Sequence, residues 1–228
     1  MILEDRSLRD KIKIILNYYT IRDFDKLIEE ANRLLKKNPN IDLLWNALGL
    51  TYQQKGNYVK AEENFFRCLQ INPTNISATN NLGNNYKYLF NYLRAEEYFK
   101  KALEKNPKYL KALVNYGNLK FELNKFEEAL ELLNQALLID DKSISVKINL
   151  ALVHQSIGDY EKAITHLKEI NELNPNVVRA DKMISALINY NEDDKHLFSM
   201  EKKLKEIELN DDQKVFLHFG LAKAYEDQ

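Results

Sequence analysis

Pro39, Pro73, Pro107 and Pro175 fall on a single 34-residue register, and Asp141 fills the one slot where proline is missing. Repeats of this length are pairs of helices, none of which can bury its apolar face alone, so they stack on their neighbours into an open array. The Asn-Pro pairs at 38–39, 72–73, 106–107 and 174–175 end each second helix, because the residue before proline is pushed out of the α region. The fold expected is all-α, a solenoid of antiparallel helix pairs. The composition agrees: with 6 Gly and 4 Pro in 228 residues, the chain lacks the turn chemistry of a sandwich or barrel.

The clearest unit runs Trp45, Leu48, Gly49, Tyr52, Gly56, Tyr58, Ala61, Phe65, Cys68, Pro73. A shift of 34 gives Leu82, Gly83, Tyr86, Tyr92, Ala95, Phe99, Ala102 and Pro107; the next gives Gly117, Phe126, Ala129, Leu133 and Ala136; a third gives Leu150, Ala151, Gly158, Tyr160, Ala163, Leu167 and Pro175. Small residues let two antiparallel backbones approach, and the large ones fill the space beside them. This order resembles the tetratricopeptide repeat, which implies a right-handed superhelix with the first helices on its concave face. The repeats are placed at 8–41, 42–75, 76–109, 110–143 and 144–177, the first on the looser matches Ile14, Tyr18, Phe24, Leu27 and Pro39. Residues 178–228 are read as a divergent helix pair plus one terminal helix.

Charge excludes some partners. Lys and Arg (33) nearly balance Asp and Glu (34) and are interspersed with them, so no footprint for nucleic acid or an anionic membrane stands out. The opening residues carry charges every few positions, and no run approaches a membrane span, so a cytoplasmic protein is expected. With Cys68 as the only cysteine, a disulfide within the chain and a thiolate metal cluster are excluded; it stands in an Ala slot and reads as a small buried residue. No cofactor and no enzymatic activity are expected, since the chain has no G-x-x-x-x-G-K, H-E-x-x-H or nucleophile elbow. The carboxylate pairs are read as structural: Glu62 and Glu63, and Glu127 and Glu128, on outer faces of second helices, and Asp193 and Asp194, and Asp211 and Asp212, as helix N-caps. His154 is read as a core imidazole with one satisfied nitrogen, and Lys120 as a snorkelling side chain with its amine in water.

The candidate binding surface is rich in amides. Asn81, Asn115 and Asn149 recur at one slot and Asn84 and Asn118 at another, and Asn46 on the first helix of the preceding repeat is added to them. Each carboxamide offers one acceptor and two donors, which suits it to pair with a peptide unit whatever side chain that unit bears. N-L-G-N followed by N-Y-G-N is similar to the asparagine ladder of the tetratricopeptide portion of O-linked N-acetylglucosamine transferase, and the resemblance implies a peptide or protein partner held through its backbone. Lys111, Arg179 and Lys182 are added as cations of the same surface. Against this stand a composition with about one Asn in nine residues and a structural role for the amides as bridges between helices. A carboxylate clamp is disfavoured: Lys111 and Asn81 match it, but Asn115, Asn46 and Leu50 do not.

The last fifty residues resemble the junction that closes the repeats of bacterial tetratricopeptide-containing sulfotransferases, through Ala180, Asp181, Met183, Asp193, Asp194, His196, Leu197, Leu217, His218, Phe219, Lys223, Ala224, Tyr225, Glu226 and Asp227. That resemblance implies an accessory region of an enzyme whose catalytic domain is absent here. Val215, Leu217, Phe219, Leu221 and Tyr225 are more apolar than a cap requires, so a fragment, or a homo-oligomer formed through the terminal helices, is expected.

Overall fold

A computed structural model describes residues 6–191 and 194–228. Asp193, read above both as a cap and as a junction residue, lies outside them. All regular structure among the described residues is helical, in thirteen helices: α1 (Arg6–Thr20), α2 (Phe24–Lys37), α3 (Asp42–Gln54), α4 (Tyr58–Ile71), α5 (Ile76–Tyr88), α6 (Tyr92–Lys105), α7 (Leu110–Glu122), α8 (Phe126–Ile139), α9 (Ile144–Ser156), α10 (Tyr160–Leu173), α11 (Val178–Ser185), α12 (Lys195–Glu206) and α13 (Asp211–Glu226). They divide into two compact units, Met1–Leu119 and Lys120–Gln228, with the boundary inside α7.

Local chemistry sets the ends. Asn57, Asn75 and Asn91 cap α4, α5 and α6 by accepting backbone N–H bonds in the first turn, and Asn38, Asn72, Asn106 and Asn174 of the Asn-Pro pairs are the C-caps of α2, α4, α6 and α10. For the carboxylate pairs the outcome is mixed. Asp194 does cap α12, but the cap of α13 is Asn210, in a capping box with Gln213, and Asp211 and Asp212 lie inside the first turn where the helix dipole favours them.

In the first unit the cores are built by close approach. A Cβ on Gly49 would sit 2.5 Å from the ring of Phe65, and one on Gly83 2.6 Å from that of Phe99. Both rings are fully buried, so the glycine slot is the hollow that the aromatic of the second helix fills. Ile12, Ile15, Leu27, Ala31, Leu35, Ile41, Leu44 and Leu48 form the core shared by α1, α2 and α3.

The turn inside each pair repeats one backbone feature. Arg22, Gly56, Phe90, Asn124 and Gly158 all have positive φ, from 56° to 81°, and stand 34 residues apart. Glycine takes this conformation freely and asparagine tolerates it. A phenylalanine there carries strain of about 1–2 kcal/mol.

In the second unit, Val178, Tyr190, Leu197, Met200, Leu209, Leu217, Leu221 and Ala224 form the core of α11, α12 and α13. Leu217 and Leu221 are thus packed inside, correcting their reading as surplus surface, while Val215, Phe219 and Tyr225 are exposed.

Candidate functional site

The amides divide into two sets with different work. In the first unit Asn115 on α7 donates through Nδ2 to Asn80 Oδ1 at 3.0 Å, Asn80 donates to Asn81 Oδ1 at 3.5 Å, and Asn81 donates to Asn46 Oδ1 at 3.0 Å. This chain of carboxamides runs from α7 through α5 to α3, joining consecutive first helices. Asn80 and Asn81 are buried, where an unpaired amide would be expensive. A second link lies nearby: Gln53 donates to Asn85 Oδ1 at 3.5 Å, and Asn85 donates to the carbonyl of Tyr58 at 2.9 Å. Asn80, Asn85 and Gln53 were absent from the sequence reading; the doublets Asn80-Asn81 and Asn84-Asn85, four residues apart on one helix, are the signal that could have found them.

Asn84 and Asn118 differ. Each is half-buried at equivalent positions of α5 and α7, and neither makes a side-chain hydrogen bond to any described residue. Lys111 is exposed near the start of α7. In the second unit Asn149, half-buried on α9, likewise leaves its amide unspent among the described residues. Arg179 is exposed, but Lys182 is engaged: its amine lies over the rings of Phe216 and Phe219 at 5.1 and 4.7 Å.

The titratable residues singled out in the sequence are mostly internal. Cys68 is fully buried, and burial pushes its thiol up to about 12, which rules out a thiolate near neutrality. Lys120 does not reach water: it is 2 % exposed and its amine meets Glu128 at 2.6 Å, a partner supplied by the next helix. Nor is Glu62 an idle outer-face carboxylate, since it accepts from the Tyr86 hydroxyl at 2.5 Å. His154 is buried as expected, but Nδ1, 3.5 Å from Asp159, has no hydrogen-bond partner. Its ring stacks on His166 at 5.7 Å, and burial lowers the basicity of both imidazoles.

The divergent pair contains a buried polar network. Asp181, fully buried on α11, accepts from Lys203 at 2.8 and 2.9 Å, from Asn171 at 2.8 Å, and faces His196 Nε2 at 3.2 Å. His196 Nδ1 meets the Tyr190 hydroxyl at 2.6 Å, and that hydroxyl meets Ser185 Oγ at 2.8 Å. Burial raises the Tyr190 phenol to about 12. Asp181 and His196, read as junction residues, thus have a structural task in tying α11 to α12.

Among the described residues no group of three or more His, Cys, Asp or Glu is placed to hold a metal ion, and no helix is long and apolar enough to cross a membrane.

Tetratricopeptide repeat family models match residues 43–75, 90–148 and 144–177, together more than half of the chain. No curated protein matches the sequence. Solved structures with the same fold include PilW, a widely conserved type IV pilus biogenesis factor (19% identity, TM-score 0.74, covering 93% of this chain and 99% of that one). They also include PilF of Pseudomonas aeruginosa (17% identity, TM-score 0.71, 96% and 92%) and a thermophilic TPR protein of Thermus thermophilus (21% identity, TM-score 0.69, 78% and 97%). At such identities the likeness establishes the fold, the α-solenoid class built of helix pairs. The family models end at residue 177, and nothing in these matches links 178–228 to a sulfotransferase. With its period, its glycine–phenylalanine approach and these matches together, the chain belongs to the tetratricopeptide repeat family.

Proposed function

We propose that this chain is a non-catalytic scaffold that binds a peptide or protein segment on its first helices, with Asn84 and Asn118 holding the segment through its backbone and Lys111 favouring some acidic residues in it. The observation that carries this reading is the contrast between the two sets of amides. Asn46, Asn80, Asn81 and Asn115 spend their hydrogen bonds on one another, whereas Asn84 and Asn118 present unspent donors and acceptors at the same register on consecutive first helices. A half-exposed carboxamide that is not needed for the fold is available to a peptide unit. In the second unit Asn149 offers the same chemistry, with Arg179 as the exposed cation.

Each such bond adds about 0.5–1.5 kcal/mol net, so a pair of them supports micromolar affinity only with additional contacts. The test begins with a peptide selected by display on the full chain. N-methylation of its central amides is expected to weaken binding at least tenfold, and replacing the central side chains by alanine to weaken it only severalfold. The opposite ranking would show that side chains, not the backbone, are read, and would remove Asn84 and Asn118 from the reading.

The accessory-region reading, in which the chain would recruit substrate for a sulfotransferase, has no observation in its favour. Of the residues on which it rested, Ala180, Leu197, Leu217 and Ala224 are packed in the core and Asp181 and His196 belong to the buried network, while His218, Phe219, Tyr225 and Glu226 are exposed.

A further inference from the structure

The turn between α5 and α6 puts an aromatic where the backbone is left-handed. At the position held by Gly56, Asn124 and Gly158 in three other repeats, and by the flexible polar Arg22 in the first, this turn holds Phe90 at φ 56°. The strain is not offset by burial, because the ring is 78 % exposed. Strained, exposed aromatic residues are concentrated where a surface does something other than fold. The neighbours reinforce the point: Leu93 is 86 % exposed, Tyr88 and Leu89 are also exposed, Tyr92 packs edge-on to Phe90 at 6.3 Å, and Tyr58 of α4 stacks on Tyr88 at 5.3 Å. The stack fixes the platform, and Phe90 stands at its tip.

We propose that this turn is a docking knuckle for a short, uncharged segment of another protein that carries leucine or aromatic anchors. Two features select that occupant. The first is area: Tyr88, Leu89, Phe90 and Leu93 together expose roughly 450 Å² of side chain, the size of a functional patch on a monomer. A stable dimer needs about 800 Å² from each partner, so a second copy of this chain is a poor fit and a short segment a good one. The second is charge. The cations flanking the knuckle are already engaged: Lys55 meets Asp25 at 2.6 Å and Arg94 lies 3.9 Å from Glu62, while Lys60 and Lys87 rest over the rings of Tyr52 and Tyr88. The rim therefore has little field with which to select a charged ligand, and recognition falls to the apolar rings. Tyr88 follows Asn84 by one turn of α5, but the proposal asks nothing of the amides of Asn84 and Asn118 and stands or falls without them.

The experiment is fluorescence anisotropy of a labelled ten-residue peptide, with Leu, Phe and Trp anchors spaced by Ser and Gln, titrated with the full chain. Saturable binding is expected, reduced at least tenfold by Phe90→Gly and severalfold by Leu93→Ser, and unchanged by Asn84→Ala with Asn118→Ala. A peptide with Ser in place of the anchors should not bind. Because glycine suits φ 56° and the ring is exposed, Phe90→Gly should fold with an unchanged or higher Tm. The proposal is overturned by absence of saturation, by equal binding to Phe90→Gly, or by a Tm loss in that variant showing that the ring supports the fold. Sedimentation that finds a dimer in the parent chain and a monomer in Phe90→Gly would also overturn it, by making the occupant a second copy.

Discussion

Two regions of this chain hold their helices together by different physics. In α5–α6, Gly83 opens a hollow for Phe99, and neighbouring first helices are joined by neutral carboxamides. In α11–α12, the two helices are tied by a buried carboxylate shared among Lys203, Asn171 and His196. The first arrangement tolerates changes of pH and salt but not of volume. The second holds charges out of water, so it is vulnerable to loss of either partner.

The largest effect should come from breaking the ionic pair. Asp181→Ala strands the Lys203 amine in the core and is expected to cost about 3–5 kcal/mol, read by denaturant unfolding of the second unit. The matched double change to apolar residues, Asp181→Leu with Lys203→Met, should recover most of that loss, because two neutral side chains need no counter-charge. If the single and double variants were equally destabilised, the network would not be held together by its charges.

Gly83→Leu is next, at about 1–3 kcal/mol, since the added side chain meets the buried Phe99 ring and the core has no room to yield. A midpoint equal to that of the parent chain would mean that the close approach is misplaced. Asn80→Ala follows at about 1–2 kcal/mol, because it leaves the Asn115 amide donor and the Asn81 carboxamide oxygen without their partner.

The stacked imidazoles sharpen the comparison through pH. His154 and His166 are less basic folded than unfolded, chiefly because they are buried. The unfolded chain therefore takes up their protons first, and stability should fall as pH drops below about 6.5, the ordinary histidine value. Glu169, held more acidic by Lys147, acts in a lower window: its contribution is intact above about pH 4.3 and is lost as pH falls through its folded value. Replacing both histidines by Leu should flatten the upper slope and leave the lower one. The smallest effect concerns Cys68, whose buried thiol should resist alkylation by iodoacetamide at about pH 8 in the folded chain and react on denaturation.

The helical class and its period were legible because they depend on spacing along the chain: proline ends a helix wherever it stands, and Gly49 and Gly83 share one slot with one consequence. The carboxamides were legible only as a set. Spacing placed Asn81 and Asn84 on first helices, but which of them turns towards a neighbouring helix depends on the rotation of that helix, and the register does not encode it. Asn80, which completes the chain of amides, was hidden beside Asn81 for that reason. Lys120 was misread because its partner, Glu128, comes from the following helix, and the buried role of Asp181 was not legible because its partners lie 10, 15 and 22 residues away. Such pairings follow from packing, which the sequence specifies only collectively.

The division of labour among the amides is the central claim, and one pair of variants tests it most directly. Asn84→Ala with Asn118→Ala, and Asn80→Ala with Asn81→Ala, are each measured for Tm and for affinity towards a display-selected peptide. The outer pair should lose about tenfold or more in affinity, equivalent to about 1.4 kcal/mol, with Tm unchanged. The inner pair should lower Tm by several degrees while the fraction that remains folded binds with near-parent affinity. Full affinity in the outer pair, or loss of affinity confined to the inner pair, would contradict the claim.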